Sequence, residues 1–331
     1  MNNKVLHEKP QNQQEFQVIP FNRPTIAPGG LPVSVPVGLP VGLPVGDKNL
    51  TERDTSILWA LKRHAALTAL QVQLLLRFPS LDRAQRRCLV LYRKDLLSRM
   101  PCFFLTPHKA EYCYFLSRNG HQYLQLASME KTGSQPARVK SVFFLNHLLL
   151  INQFWLYLEL ACRHQNLVRL DGFIPEFANR TETGKKATAT QVPIPKTDKQ
   201  AILIPDGVFC LSRQDKKKLF FVEIDRATGK VKSQNYRSFI DQVQKYIWYQ
   251  QAKGFASYQE LFKYAFPGFQ VLYATTSENR IKTYQQALAN LGYLRRFVLF
   301  TSFEKLSAAT ILEKIWRPCK SEDTNVYSLL D

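Results

Sequence analysis

No apolar run in this 331-residue chain reaches the roughly 18 residues needed to cross a bilayer. The nearest, Phe143 to Leu160, is broken by Asn146, His147, Asn152, Gln153 and Glu159. The N-terminus lacks the charged, apolar and small-residue order of a secretory leader, so a cytoplasmic protein without membrane insertion is expected. The six cysteines form no CxxC pair and have no histidine at ligand spacing, which excludes a disulfide frame or a zinc ribbon. No glycine loop ends in Gly-Lys-Ser/Thr, so nucleotide-driven work is not expected. His7, His64, His108, His121, His147 and His164 are all isolated, so no His-hydrophobe-His metal pair exists to serve a tyrosine nucleophile.

Acidic residues are the other scarcity. The chain has 26 Asp and Glu against 45 Lys and Arg, a formal charge of +19. The excess is +1 over residues 1–46, +7 over 47–128 and +11 over 129–331. A polyanion is the natural partner of such a chain, and double-stranded DNA would bind it in a salt-dependent way through counterion release.

The chain divides by composition. Residues 1–46 carry a Pro/Gly/Val repeat from Gly30 to Gly46 that sustains neither helix nor sheet and reads as an extended tether. Residues 47–128 read as three helices and a hairpin. Thr51 and Thr68 are N-cap candidates, and the third helix, expected over Asp82 to Leu97, carries Arg83, Arg86, Arg87, Arg93 and Lys94. Strands expected over Cys102 to Leu105 and Tyr112 to Leu116 flank a turn with Lys109 at its tip. This order is that of a winged helix-turn-helix, whose basic third helix would lie in the major groove. A polar linker follows over 129–141.

Residues 142–331 should form a second, α/β (α+β) unit with a mixed sheet flanked by helices. A long helix is expected over Val142 to Arg163, in which a single His147 reads as a hydrogen-bonded core residue rather than a ligand. A strand leads to Pro175-Glu176, and Asn179 to Lys199 reads as a loop. Later helices are expected over Tyr236 to Lys253, Asn279 to Leu291 and Ala308 to Trp316, with strands over Phe269 to Thr275 and Phe297 to Thr301.

Two apolar runs in this unit, Ile204-Pro205-Asp206-Gly207 and Phe220-Phe221-Val222-Glu223-Ile224-Asp225, carry acids where a buried strand would carry Val or Ile. Joined by the basic turn Ser212 to Lys218, they read as a hairpin. Side chains alternate along a strand, so Glu223 and Asp225 share a face, and Asp206 on the neighbour can join them. Unpaired buried carboxylates are costly, so such a cluster points to a bound cation or to shifted pKa values. Glu176 or Glu159 could complete a cation site.

Pro205-Asp206 followed by Glu223 resembles the first and second motifs of the PD-(D/E)XK, restriction-endonuclease-like nucleases. The resemblance implies that these carboxylates hold Mg²⁺ or Mn²⁺ and activate water for phosphodiester hydrolysis. The family's lysine would fall at position 225, where this chain has Asp225; Lys245 is the best migrated candidate, ahead of Lys230 and Lys232. Leu50-Thr51-Glu52-Arg53-Asp54, Arg86-Arg87, Leu116-Ser117-Arg118-Asn119-Gly120, Ile204-Pro205-Asp206 and Glu223-Ile224-Asp225-Arg226-Ala227-Thr228 together resemble the replication-relaxation family, over roughly residues 50 to 300. That family is related to the MobC-class relaxases of mobilisable plasmids. The resemblance implies a bacterial DNA-processing protein that binds a plasmid origin, meets other transfer or replication proteins, and nicks DNA with Asp206, Glu223, Asp225 and Lys245. Asp225 in the lysine position keeps open the alternative of a non-catalytic origin-binding accessory protein or regulator.

Overall fold

The computed structural model describes residues 50–102, 111–128, 142–178, 186–226, 233–288, 297–319 and 325–331. The Pro/Gly/Val tether, Lys109 at the hairpin tip, the 129–141 linker, Lys230 and Lys232 lie outside these residues.

The first unit begins with α1 (Glu52–His64), β1 (Leu67–Thr68), α2 (Ala69–Leu76) and α3 (Leu81–Arg93). Both expected caps form. Thr51 and Asp54 make a reciprocal capping box on α1, and Thr68 with Gln71 makes another on α2. Helix α3 ends at Arg93, earlier than the expected Leu97. Lys94 caps it and Asp95 turns left-handed at φ 54°, which frees Leu97 to start a strand. The hairpin is therefore β2 (Leu97–Cys102) and β3 (Glu111–Leu116), with β3 in the middle of a β1-β3-β2 antiparallel sheet. Helix α4 (Arg118–Ser128) closes the unit. Ile57, Leu61, Val72, Ala84, Cys88 and Leu91, one face from each helix, form its core.

Helix α5 (Val142–His164) opens the second unit. Strands β4 (Val168–Pro175), β7 (Gly207–Arg213), β8 (Lys216–Asp225), β9 (Phe269–Thr275), β10 (Val298–Ser302) and β11 (Arg317–Pro318) build one mixed sheet in the order β11-β10-β9-β8-β7-β4. The β4-β7-β8 ladders are antiparallel, whereas β8-β9 and β9-β10 are parallel. Parallel pairing demands crossovers, which α6 (Ser233–Gln251) with α7 (Ser257–Phe262), and then α8 (Glu278–Leu288), supply. Within the segment read as a loop, β5 (Thr190–Pro193) forms and pairs with β6 (Gln200–Leu203) just beyond it as a small hairpin. Its buried Val192 and Leu203 share a core with Val243 and Tyr246 of α6.

Alternation along β8 sorts the sheet into two faces. Leu219 and Phe221 join the core under α6 and α8, and Phe220, Val222 and Ile224 join the core under α5. The helix expected over Ala308 to Trp316 is instead a run of turns. Ser307 and Thr310 bond to each other, Thr310 Oγ1 donates to the Lys305 carbonyl, and the Ala309 amide donates to Ser307 Oγ. Side-chain bonds of this kind divert the backbone from a helical ladder.

Helix α5 is apolar on most faces because it serves both units. Leu150, Phe154, Trp155 and Leu158 pack on the large sheet, while Leu156 packs with the first unit and Leu145, Leu148 and Leu149 lie against Cys102 and Cys113 of its hairpin. Its polar residues tie the two together. Asn152 Nδ2 donates to the carbonyls of His64 and Ala66 at 2.8 and 2.7 Å, covering the end of α1. Gln71 Nε2 donates to Leu149 O at 3.0 Å and to Gln153 Oε1 at 3.1 Å. Glu159, with no exposed surface, receives Arg63 at 2.6 Å and Arg163 at 3.3 Å.

Candidate functional site

The acids converge at one end of the large sheet. Asp206 immediately precedes β7, whose Gly207 lies opposite Val222, so one further step of the same register brings Asp206 to Glu223. Glycine is needed at that step: a Cβ on Gly207 would meet the Phe173 ring at 2.6 Å and Val222 Cγ1 at 2.9 Å. Asp206 is nearly buried, and both its oxygens are engaged. Oδ2 accepts the Ile224 amide at 2.6 Å, and Oδ1 lies 2.9 Å from His147 Nε2. Glu176 follows β4, and its amide donates to the Asp206 carbonyl at 2.8 Å. That bond brings the Glu176 carboxylate within 4.0 Å of His147 Nε2.

One imidazole nitrogen and two carboxylates, all within 4.8 Å of one another, are the result. This donor set fits a divalent cation, because hard carboxylate oxygens suit Mg²⁺ and Mn²⁺ and the imidazole is accepted by Mn²⁺. His147 therefore stands where a core residue was expected. Its signal in the sequence was a histidine just over one turn into a largely apolar helix. Burial works to lower its pKa, but the hydrogen bond and charge of Asp206, with Glu176 behind, outweigh that and leave it raised.

Glu223 stands beside this group on β8. Tyr246 Oη and Gln242 Nε2, one turn apart on α6, both donate to Glu223 Oε1, the latter at 3.0 Å. Removal from water and the charge of Asp206 push the Glu223 carboxyl well above its ordinary range, against the pull of those two donors. Burial and Glu223 also hold the Tyr246 phenol well above the usual tyrosine range, in keeping with its place as a donor to Glu223.

Asp225 shares the face of Glu223, as alternation requires, but a different helix takes it. Arg280 of α8 grips it through Nε at 2.6 Å and Nη2 at 3.2 Å, and Tyr284 Oη and Thr275 Oγ1 donate at 3.0 and 3.1 Å. Lys245 donates to the Ile202 carbonyl of β6 at 3.1 Å. The lysine found against the acids is Lys186, which pairs with Glu176. Glu159 lies twelve residues along α5 from His147, or roughly 18 Å of helix, and serves the contact between units.

On the first unit, Arg83 and Arg93 project from the exposed side of α3 and Lys94 caps it half-buried. Arg86 pairs with Asp82 on the surface. Arg87 reaches inward instead, its Nε 2.8 Å from Oδ1 of the fully buried Asp54, so it fastens α3 to the capping box of α1. Arg53 sits 4.8 Å above the Phe78 ring beside Arg83 and Arg86 and adds a cation that the spacing of α3 alone did not reveal. At the base of the hairpin, the Arg99 guanidinium lies between the exposed rings of Tyr92 and Tyr112, at 4.5 and 4.3 Å.

No curated protein and no solved structure matches the chain. Among family models, that of the replication-relaxation family matches residues 58–263, more than half of the chain.

Proposed function

The chain belongs to the replication-relaxation family, and on that premise we propose that it binds an origin through α3 and nicks it at the acidic end of the large sheet by metal-dependent phosphodiester hydrolysis. The observation that carries this reading is the convergence of His147, Glu176 and Asp206 beside Glu223, in a chain of net charge +19. His147, Glu176 and Asp206 would hold the cation, with Glu223 as the fourth donor. A bound divalent cation supplies Lewis acidity and lowers the pKa of a water molecule. The imidazole in the donor set favours Mn²⁺ over Mg²⁺. Gln242 and Tyr246 keep the Glu223 carboxyl fixed, and the Ile224 amide fixes Asp206, so the site is organised by hydrogen bonds that reach it from α6 and β8. Arg83, Arg86, Arg93 and Lys94, with Arg53 beside them, would position duplex DNA by phosphate contacts.

The test is incubation of the protein with its own supercoiled plasmid in Mn²⁺ or Mg²⁺, beside EDTA, Glu223→Ala and His147→Ala. Open circles that require the metal and both side chains are expected, with Mn²⁺ the better activator. DNA that shifts on a gel yet stays supercoiled under every metal would end the nicking reading. The second reading, an origin-binding accessory protein with a silent centre, is favoured by one observation. Asp225 stands where a catalytic lysine would, and Arg280, Tyr284 and Thr275 occupy it.

A further inference from the structure

The acidic centre already contains a cation of the chain's own. Lys186 places its ammonium on Glu176 Oε1, while Glu176 Oε2 lies 4.0 Å from His147 Nε2. Glu176 therefore bridges the lysine and the imidazole. The lysine backbone is fixed beside its partner. The next amide, Ala187 N, donates to the Ala178 carbonyl at 2.7 Å, Ala189 N closes a turn onto Lys186 O at 3.1 Å, and Ala187 and Thr188 are buried. The side chain above this anchor is 42% exposed, so its ammonium can swing without moving the fold. Among the described residues, Lys245 is committed to the carbonyl of Ile202 and Arg280 to Asp225, while the charge of Arg226 bears on His147.

We propose that Lys186 is an exchangeable counter-ion of this centre, neutralising Glu176 when no metal is bound and turning to the scissile phosphate when metal and DNA arrive. This rests on the nicking reading above and adds to it the group that stabilises phosphate charge. The physical basis is competition. Lys186 holds Oε1 and a cation beside His147 would take Oε2, so two positive charges would share one carboxylate and repel. Cation binding therefore expels Lys186 from Glu176, and a long, mobile ammonium at the edge of the site is then free to meet a phosphate oxygen.

The full-length chain with Lys186→Met and Lys186→Arg is the test, read first by Mn²⁺ titration calorimetry without DNA and then by nicking at saturating Mn²⁺. Lys186→Met should bind Mn²⁺ about fivefold more tightly, the loss of one partly exposed ion pair as competitor. It should nick at least ~100-fold more slowly, as when one donor to a developing anion is removed. Lys186→Arg should match the wild type in affinity and recover part of the rate. Unchanged or weaker Mn²⁺ binding in Lys186→Met would overturn the exchange, and a wild-type nicking rate in that variant would overturn the phosphate contact. If the wild type binds Mn²⁺ without nicking, the nicking reading and the phosphate contact fail together, and the affinity ratio still decides the pairing with Glu176.

Discussion

Glu223 shows how a single side chain can work against the fold that holds it. Burial and Asp206 raise its pKa, so the folded state keeps a proton that the unfolded chain has released. Its contribution to stability is complete below the unfolded carboxyl pKa and is lost as pH rises through the higher folded value. Glu223→Gln should therefore melt about 2–4 °C higher than the wild type near neutral pH, and the gain should vanish in acid. Thermal melts of both proteins between acid and neutral pH check this, and equal melting temperatures throughout would refute it. Asp206 and Glu223 were legible in the sequence because acids interrupt apolar runs, although Asp206 falls just before β7 rather than within it. Glu176 was legible as a strand-end acid after Pro175. His147 and Lys186 were not, since what brings them to the acids is a helix start and a turn that no local pattern ties to β7 and β8. Asp225 was legible as facing with Glu223, but its capture by Arg280 depends on where α8 crosses, which alternation cannot show.

Among the elements, α3 separates two kinds of arginine that look alike in sequence. Arg83 faces solvent, whereas Arg87 spans to the buried Asp54 of α1. Arg83→Ala should leave stability unchanged and lower the salt dependence of DNA binding by about one ion. Arg87→Ala should instead cost about 3 kcal/mol by stranding Asp54 without its partner. Binding titrations across a salt series, beside denaturant melts, separate the two outcomes. The junction of α1 with α5 adds a pH dependence. His64 is fully buried against Trp155, at 4.2 Å between ring centroids, and burial followed by the charge of Arg63 holds its pKa well below the ordinary 6.5. Below that ordinary value the unfolded chain takes up a proton that the folded chain refuses, so stability should fall as pH drops towards the folded pKa. His64→Gln should flatten that acid limb, and a melt series from neutral to mildly acidic pH would expose any failure to do so. The sequence predicted α1, α2, α5, α6, α8 and β9 from periodicity and caps. It missed the end of α3 and the turns after Ser307, where a left-handed Asp95 and hydroxyl-to-backbone bonds overrule the apolar pattern.

On the scale of the whole molecule, α5 packs against both units at once. Leu145, Leu148, Leu149 and Leu156 face the first unit, and Glu159 is buried between Arg63 and Arg163. Denaturant unfolding followed by tryptophan fluorescence and by far-ultraviolet dichroism should give one coincident transition, and Glu159→Ala should lower it by roughly 3–5 kcal/mol. Two separate transitions would show that the units unfold independently. A chain beginning near residue 142 would expose this leucine face and should associate or precipitate. The composition of Val142 to His164 made a buried helix legible, yet nothing in it disclosed that the burial comes from two sides. A helix gripped on both sides also sets a gauge. Inserting one residue between His147 and Asn152 would turn the start of α5 by about 100° and shift it by about 1.5 Å against the rest of the helix, so Leu145 would leave the first unit and His147 would leave Asp206 together. Under the proposed nicking, the offset between a sequence held by α3 and a phosphate presented to Asp206 would be set by this shared helix rather than by the length of a loop. It can change only in coarse steps, so variants that read new sites should keep the old spacing.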